Sequence, residues 1–256
     1  MDLLYVVMFF ILGSVMASFL TVVGIRLPRG ENFISGRSHC DACNKTLRWY
    51  ELIPLMSYII QFGKCRNCNK KIGLRYFLYE LFTGLLFSIS YKIFGFSIDL
   101  IISLALISVL VVVIASDIEY MVIPDEILVI ASIIFLILST IKGGFIELGL
   151  SIFSGIVAFL IMYTLKVFGD TLFKKESLGG GDIKLMGVLG IIFNYQAIVT
   201  NIFVASFIAL PYALYITISK KDGLIPFGPF LSISAIIIFL LKLNQLDILD
   251  IIYNLI

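Results

Sequence analysis

Stretches of about 20 consecutive apolar residues, each long enough to cross the hydrocarbon core of a bilayer, recur along the whole of this 256-residue chain. In lipid, a backbone satisfies its own hydrogen bonds only in a helix or a closed barrel. The strict alternation of barrel strands is absent from these stretches. We read eight segments, at residues 3–25, 76–96, 100–116, 124–141, 148–168, 183–193, 197–219 and 227–241. The sixth is short, which suits a tilted, partly exposed or re-entrant helix. Charged residues make up 14% of the chain, against about a quarter in soluble domains, and the mean hydropathy is +1.07. A soluble domain is excluded. So is a secreted protein with a single signal peptide, because the first segment lacks a basic start and a later cleavage site. The expected fold is all-α: a polytopic transmembrane bundle of about eight helices.

Charge fixes the expected orientation. Residues 26–75 hold ten of the 19 Lys and Arg residues against three acidic ones, which places this loop in the cytoplasm and the N-terminus outside. Counting forward, the connections at 117–123, 169–182 and 220–225 fall inside, the last two with Lys174, Lys175, Lys220 and Lys221, and with Lys184 just past the second. The connections at 97–99 and 143–147 fall outside. The tail at 244–256 is mildly amphipathic and suits the outer interface. Three parts follow: a first transmembrane helix (1–25), a cytoplasmic loop (26–75) and a helical bundle (76–256).

All four cysteines lie in that loop, as Cys40-x-x-Cys43 and Cys65-x-x-Cys68 with 21 residues between the pairs. Thiolates at this spacing suit a tetrahedral Zn²⁺ with no open position, a structural site. A reducing compartment disfavours disulfides, and metal binding supplies the folding energy so small a loop lacks. Asn44-Lys45 and Asn69-Lys70 give each pair a turn. An iron centre is the lesser alternative, and His39 is read as a neighbour rather than a ligand. The loop's basic residues are a topology signal meeting anionic lipid; no nucleic acid is expected.

Two acids sit at membrane edges, where ionisable groups invite a functional reading. Asp117 closes the third segment, and Asp182 opens the sixth behind Gly179-Gly180-Gly181. Two carboxylates at one depth can share a proton and activate water between them. The glycines leave room for an extended substrate. The bland alternatives are a flexible glycine loop, an interfacial helix-end charge or an ion path. Asp125, after Pro124, reads as a helix N-terminal residue, and Glu119 as a solvent-facing loop residue.

Several segments together resemble one family, the bifunctional prepilin peptidases, which are GxGD-type aspartic membrane proteases. These are Asp117 with Ile123-Pro124-Asp125, Gly179-Gly180-Gly181-Asp182-Ile183-Lys184-Leu185, the two CxxC pairs, Arg26-Leu27-Pro28, Arg75-Tyr76 to Glu80-Leu81 with Gly84, and Pro226-Phe227-Gly228-Pro229. The resemblance implies Asp117 and Asp182 as the catalytic pair in a prokaryotic inner membrane, facing the cytoplasm. It implies type IV prepilin or pseudopilin leader peptides as substrates. It also implies N-methylation of the new N-terminus from S-adenosylmethionine, with Arg26 and Glu80 as candidate contacts to cofactor or amine. The chain departs from the family at Ala17, Thr21, Asp41 and Phe77, which bears on the methyl transfer and spares both aspartates. A peptidase without methyl transfer, an ion-coupled transporter, a zinc-finger scaffold and a presenilin-like protease are the competing readings. The transporter would place its acids nearer the membrane midplane. Oligomeric state is not legible in the sequence.

Overall fold

The computed structural model describes residues 2–33, 37–40, 42–218 and 225–242. Lys220, Lys221 and the tail at 244–256 lie outside them. The described chain is helical throughout, apart from loops and two isolated β-bridges. It forms two compact units, Met1–Ala115 and Ser116–Ile256, and the boundary falls inside one helix.

The first unit contains α1 (Asp2–Arg26), α2 (Met56–Ile60), α3 (Leu74–Phe94) and most of α4 (Ile98–Tyr120), with short 3₁₀ turns at Leu27–Arg29 and Trp49–Glu51. Lipid tails are as apolar as the side chains, so helices in a membrane associate by close packing of small residues. Here α1 and α3 meet at Gly13 and Gly84. A Cβ on Gly13 would lie 2.9 Å from the Gly84 Cα, and one on Gly84 would lie 2.8 Å from the Phe10 carbonyl oxygen. Ser88 donates to the Val6 carbonyl at 2.9 Å. Ser90 and Ser103 share a buried hydrogen bond of 2.8 Å between α3 and α4. Tyr5, Phe9, Tyr91 and Phe96 form a ring cluster at the far end of this pair.

The second unit contains the end of α4 with α5 (Asp125–Phe173), α6 (Gly180–Gly190), α7 (Tyr195–Ile218) and α8 (Gly228–Leu240). At about 1.5 Å per residue, α5 would extend more than twice the roughly 30 Å of a hydrocarbon core. It breaks where the outside connection was expected, at Gly143 (φ −139°, ψ 16°) and Gly144 (φ 69°, ψ −159°). Only glycine adopts the latter conformation readily. The fourth and fifth apolar segments are therefore the two arms of α5. The second arm packs on α6 through small residues: a Cβ on Gly190 would lie 2.6 Å from the Ala158 Cβ.

Five helical stretches are long and apolar enough to span a membrane, namely Asp2–Arg29, Leu74–Phe94, Ile98–Tyr120, Asp125–Leu172 and Tyr195–Ile216. With α5 counted as two arms, and α6 and α8 as shorter apolar helices, all eight expected segments are helical. The chain is an all-α, multi-pass membrane protein. Two details differ from the sequence reading. The loop at 26–75 contains a helix, α2, and α6 begins at Gly180 rather than after the glycines.

Candidate active site

Asp117 and Asp182 both belong to the second unit. Asp117 lies in the last turn of α4, which Met121 ends with a left-handed φ of 54°. The Met121 N–H donates to the Asp117 carbonyl at 2.9 Å, and the fully buried Ser116 hydroxyl donates to the Val122 carbonyl, folding the chain back on itself. Asp182 is the third residue of α6. Its carboxylate reaches back to the N–H of Gly179, the residue before the helix, as an acid at this place in a capping box does. A side chain at 179 would crowd it: a Cβ there would lie 3.1 Å from Asp182 Oδ2.

The second carboxylate also meets a helix start. The Gly228 N–H, at the first turn of α8, faces Asp117, and a Cβ on Gly228 would lie 2.7 Å from Asp117 Oδ2. Free N–H groups and the helix dipole favour negative charge at such places. Both side chains are buried, at 5% and 8% exposed, and they are close enough for Asp182 to feel the charge of Asp117. Asp117 Oδ2 is buried with no hydrogen-bond partner among the described residues. Buried polar atoms are nearly always partnered, so this oxygen has acceptor capacity left for a further group.

Ile123 locks the arrangement. Cβ atoms on Gly181 and Gly228 would each lie 3.1 Å from its side chain, so the loop after Asp117 is clamped between the starts of α6 and α8. The space opposite Gly181 is thus filled, contrary to the expectation of an open glycine run. Gly180 alone of the three has nothing within 4 Å of its missing side chain. Asp125 opens α5, the helix N-terminal place expected of it. Lys184 holds both its oxygens, at 2.8 and 2.7 Å, tying α5 to α6. Glu119 lies within α4, half-buried, rather than in a solvent-facing loop.

Sequence reasoning missed Ser116, Ile123, Gly228 and Lys184 as site-forming residues, although it quoted the segments that hold them. It also missed Asn201 on α7 and Ser232 on α8. Both are fully buried, and each has a polar atom unpartnered among the described residues. Asn201 Nδ2 lies 3.3 Å from the Met186 sulfur, one turn along α6 from Asp182. Polar residues inside apolar segments are the signal that would have found them.

In the first unit, Cys40, Cys43, Cys65 and Cys68 place their sulfurs within 4.8 Å of one another. The 3.8 Å between the Cys40 and Cys68 sulfurs matches the roughly 3.8 Å edge of a tetrahedron with Zn–S bonds of about 2.3 Å. The two knuckles repeat each other. The Asn44 N–H donates to the Cys40 carbonyl and the Asn69 N–H to the Cys65 carbonyl, at 2.8 and 2.9 Å. Both asparagines are left-handed, at φ 53° and 57°, a conformation Asn tolerates. The Lys45 N–H and then the Asn67 amide draw the Cys43 thiol down to about 6. The N–H groups of Cys68 and Asn67 lower that of Cys65. Against the pull of the Lys70 N–H, desolvation and the crowd of neighbouring sulfurs push Cys68 up to about 11. Four sulfurs gathered this closely by two matching turns fit a metal ion well.

Arg26 and Glu80 are placed as follows. Arg26 ends α1 and donates to the Asn32 carbonyl at 3.4 Å. Glu80, on α3, accepts the Leu55 N–H at 2.7 Å and faces the Ser18 hydroxyl. Leu55 is strained, with φ 61° and ψ −52°, in a tight turn closed by a 2.6 Å bond from the Met56 N–H to the Pro54 carbonyl.

Residues 11–94 match the model of the bacterial peptidase A24 N-terminal domain, and residues 104–214 that of the type IV leader peptidase family. The chain belongs to the type IV leader peptidase family. It is similar to the "Prepilin leader peptidase/N-methyltransferase" of Vibrio cholerae, with 32% identity over 93% of this chain and 98% of that protein. The Bacillus subtilis protein of the same description is 31% identical over 90% and 92% of the two chains. That of Myxococcus xanthus is 33% identical over 79% of this chain and 60% of its own length. No solved structure matches the chain. Membership of this family makes the chain a membrane peptidase.

Proposed function

We propose that Asp117 and Asp182 are the catalytic pair, and that they cut the short leader from type IV prepilins or pseudopilins at the cytoplasmic face of a prokaryotic inner membrane. The observation that carries this reading is the pairing of two buried carboxylates, each facing the N–H groups of a helix start, with Asp117 Oδ2 unpartnered among the described residues. One carboxylate, ionised, takes a proton from the attacking water. The other, protonated, polarises the scissile carbonyl through a hydrogen bond and, as the tetrahedral intermediate collapses, gives its one proton to the leaving amine, ending ionised while its partner ends protonated. The open flank of Gly180 lets an extended backbone approach the pair. The cytoplasmic orientation rests on the Lys and Arg count of residues 26–75. Cleavage of a reconstituted prepilin by wild type and by single Asn variants tests the reading, and full activity in both variants would end it.

Cys40, Cys43, Cys65 and Cys68 would hold one Zn²⁺, structural because four thiolates fill its coordination. The relatives' description supports methyl transfer as well. Glu80 keeps acceptor capacity beyond its Leu55 bond and would hold the new N-terminal ammonium, while Arg26 would bind the carboxylate of S-adenosylmethionine, whose sulfonium supplies the methyl group. Mass spectrometry of the processed N-terminus decides this. Glu80→Gln keeps an acceptor for Leu55, and it should abolish methylation and spare cleavage. An unmethylated wild-type product, despite cofactor and complete cleavage, would leave a peptidase alone.

A further inference from the structure

The segment at 49–62, which contains α2, has a face that the peptidase chemistry does not use. Its inner side is fastened to a membrane span. The Leu55 N–H is bonded to Glu80 at 2.7 Å, and the Tyr58 ring packs on Phe77 with centroids 5.2 Å apart. Phe77 and Glu80 lie in the first two turns of α3, which is one of the membrane-spanning helices. The segment therefore sits at the level where hydrocarbon gives way to headgroups.

Its other side is apolar and, among the described residues, uncovered. Met56, Ile59 and Ile60 follow helical i, i+3, i+4 spacing, which puts them on one face, and each is more than half exposed. Trp49 before α2 is 77% exposed and Phe62 after it 89%. Cations accompany this surface. Arg48 donates to the Tyr50 hydroxyl at 3.0 Å, the Arg66 guanidinium lies over the Tyr50 ring at 5.5 Å, and Trp49 meets that ring edge-on. The only acid between Arg48 and Lys71 is Glu51, which is buried and spent on the Arg48 N–H at 2.8 Å. Large apolar side chains, ring-bound cations and no exposed carboxylate, held at headgroup depth, complement a phosphate-bearing lipid surface.

We infer that residues 49–62 lie in the headgroup layer of the membrane, with Trp49, the outer face of α2 and Phe62 in the acyl boundary and Arg48 and Arg66 on lipid phosphates. The four-cysteine cluster, which begins again three residues after Phe62, is then held at the membrane surface. This does not depend on which carboxylates are catalytic.

The chain carries its own probe, because Trp49 is its single tryptophan. The metal-loaded full chain is reconstituted in bilayers of mixed zwitterionic and anionic phospholipid, with bromine at shallow or deep acyl positions. Trp49 emission should be blue-shifted, aqueous acrylamide should quench it about threefold less than a free indole, and shallow bromines should quench more than deep ones. Ile60→Asp with Phe62→Asp should restore acrylamide quenching. Water-like emission with no bromine quenching would overturn the inference. So would a blue shift without bromine quenching, since protein would then cover the ring. A shift seen only after a prepilin is added would overturn it too, and would assign the face to substrate.

Discussion

At the residue scale, the site depends on two carboxylates and on glycines that make room for them. Asp117→Asn and Asp182→Asn should each lower prepilin cleavage by at least the hundred- to ten-thousandfold, roughly, that positioned acid–base groups contribute, while the protein still inserts. Gly228→Ala should act on the same step without replacing a carboxylate. Its methyl group would arrive 2.7 Å from Asp117 Oδ2, an overpacking worth roughly 1–3 kcal/mol, so cleavage should fall roughly five- to 150-fold if that strain falls on the transition state. Gly180→Ala, with open space around it, should cost little. Equal losses in both glycine variants would mean that backbone freedom, rather than room beside Asp117, is what matters. The pairing of Asp117 with Asp182 was legible because both acids end apolar segments on one expected side of the membrane and match a family pattern. Gly228 and Ile123 were not legible as parts of the site. Their role is contact across more than a hundred residues for Gly228, and a clamp between two helix starts for Ile123, and neither leaves a local signal.

At the element scale, the helices were legible from length and apolarity. The exceptions have physical reasons. The start of α6 was read as a loop because glycine is a poor helix former, by about 1 kcal/mol against alanine. Packing of Gly181 on Ile123 and the Asp182 cap overrule that preference. The five residues of α2 are too few to show a period. The Lys184–Asp125 pair joins α6 to α5 from 59 residues apart. Both side chains are more than half exposed, so the pair should add about 0–1 kcal/mol and serve mainly to set the helix start that carries Asp182. Asp125→Lys should therefore reduce cleavage several-fold with little change in thermal stability. Asp125→Lys with Lys184→Asp should recover most of it. Failure of the double variant to exceed the single one would remove the pair from the mechanism. The cysteine knuckles were fully legible, since both their spacing and their asparagine turns are local. Purified protein should contain about one zinc per chain. Chelation should loosen residues 40–68, read as faster proteolysis of the loop, and leave prepilin cleavage far less affected than either Asn substitution. Loss of cleavage equal to that of Asp117→Asn would make the metal more than structural.

At the scale of the whole molecule, charge decides how the helices are threaded through the membrane. Ten Lys and Arg residues in one loop outweigh every other connection, and short basic loops stay in the cytoplasm. Counting spans from that loop puts residue 2 and the α5 break outside. The count needs α5 to be two arms, and the Gly143–Gly144 backbone supplies the turn. Phe145, just beyond it, is 85% exposed, so a cysteine there is reachable. Single cysteines at 2 and 145 should thus react with a membrane-impermeant thiol reagent in intact spheroplasts. The four native cysteines, in the loop at 26–75, should react only after lysis and removal of metal if that loop is cytoplasmic as proposed, which makes them an internal control. Labelling of either engineered site only after lysis would reverse the threading and move the proposed aspartate pair to the other face. The leader of the proposed substrate would then have to cross the hydrocarbon to reach the pair, at a cost that rises with each charge it carries.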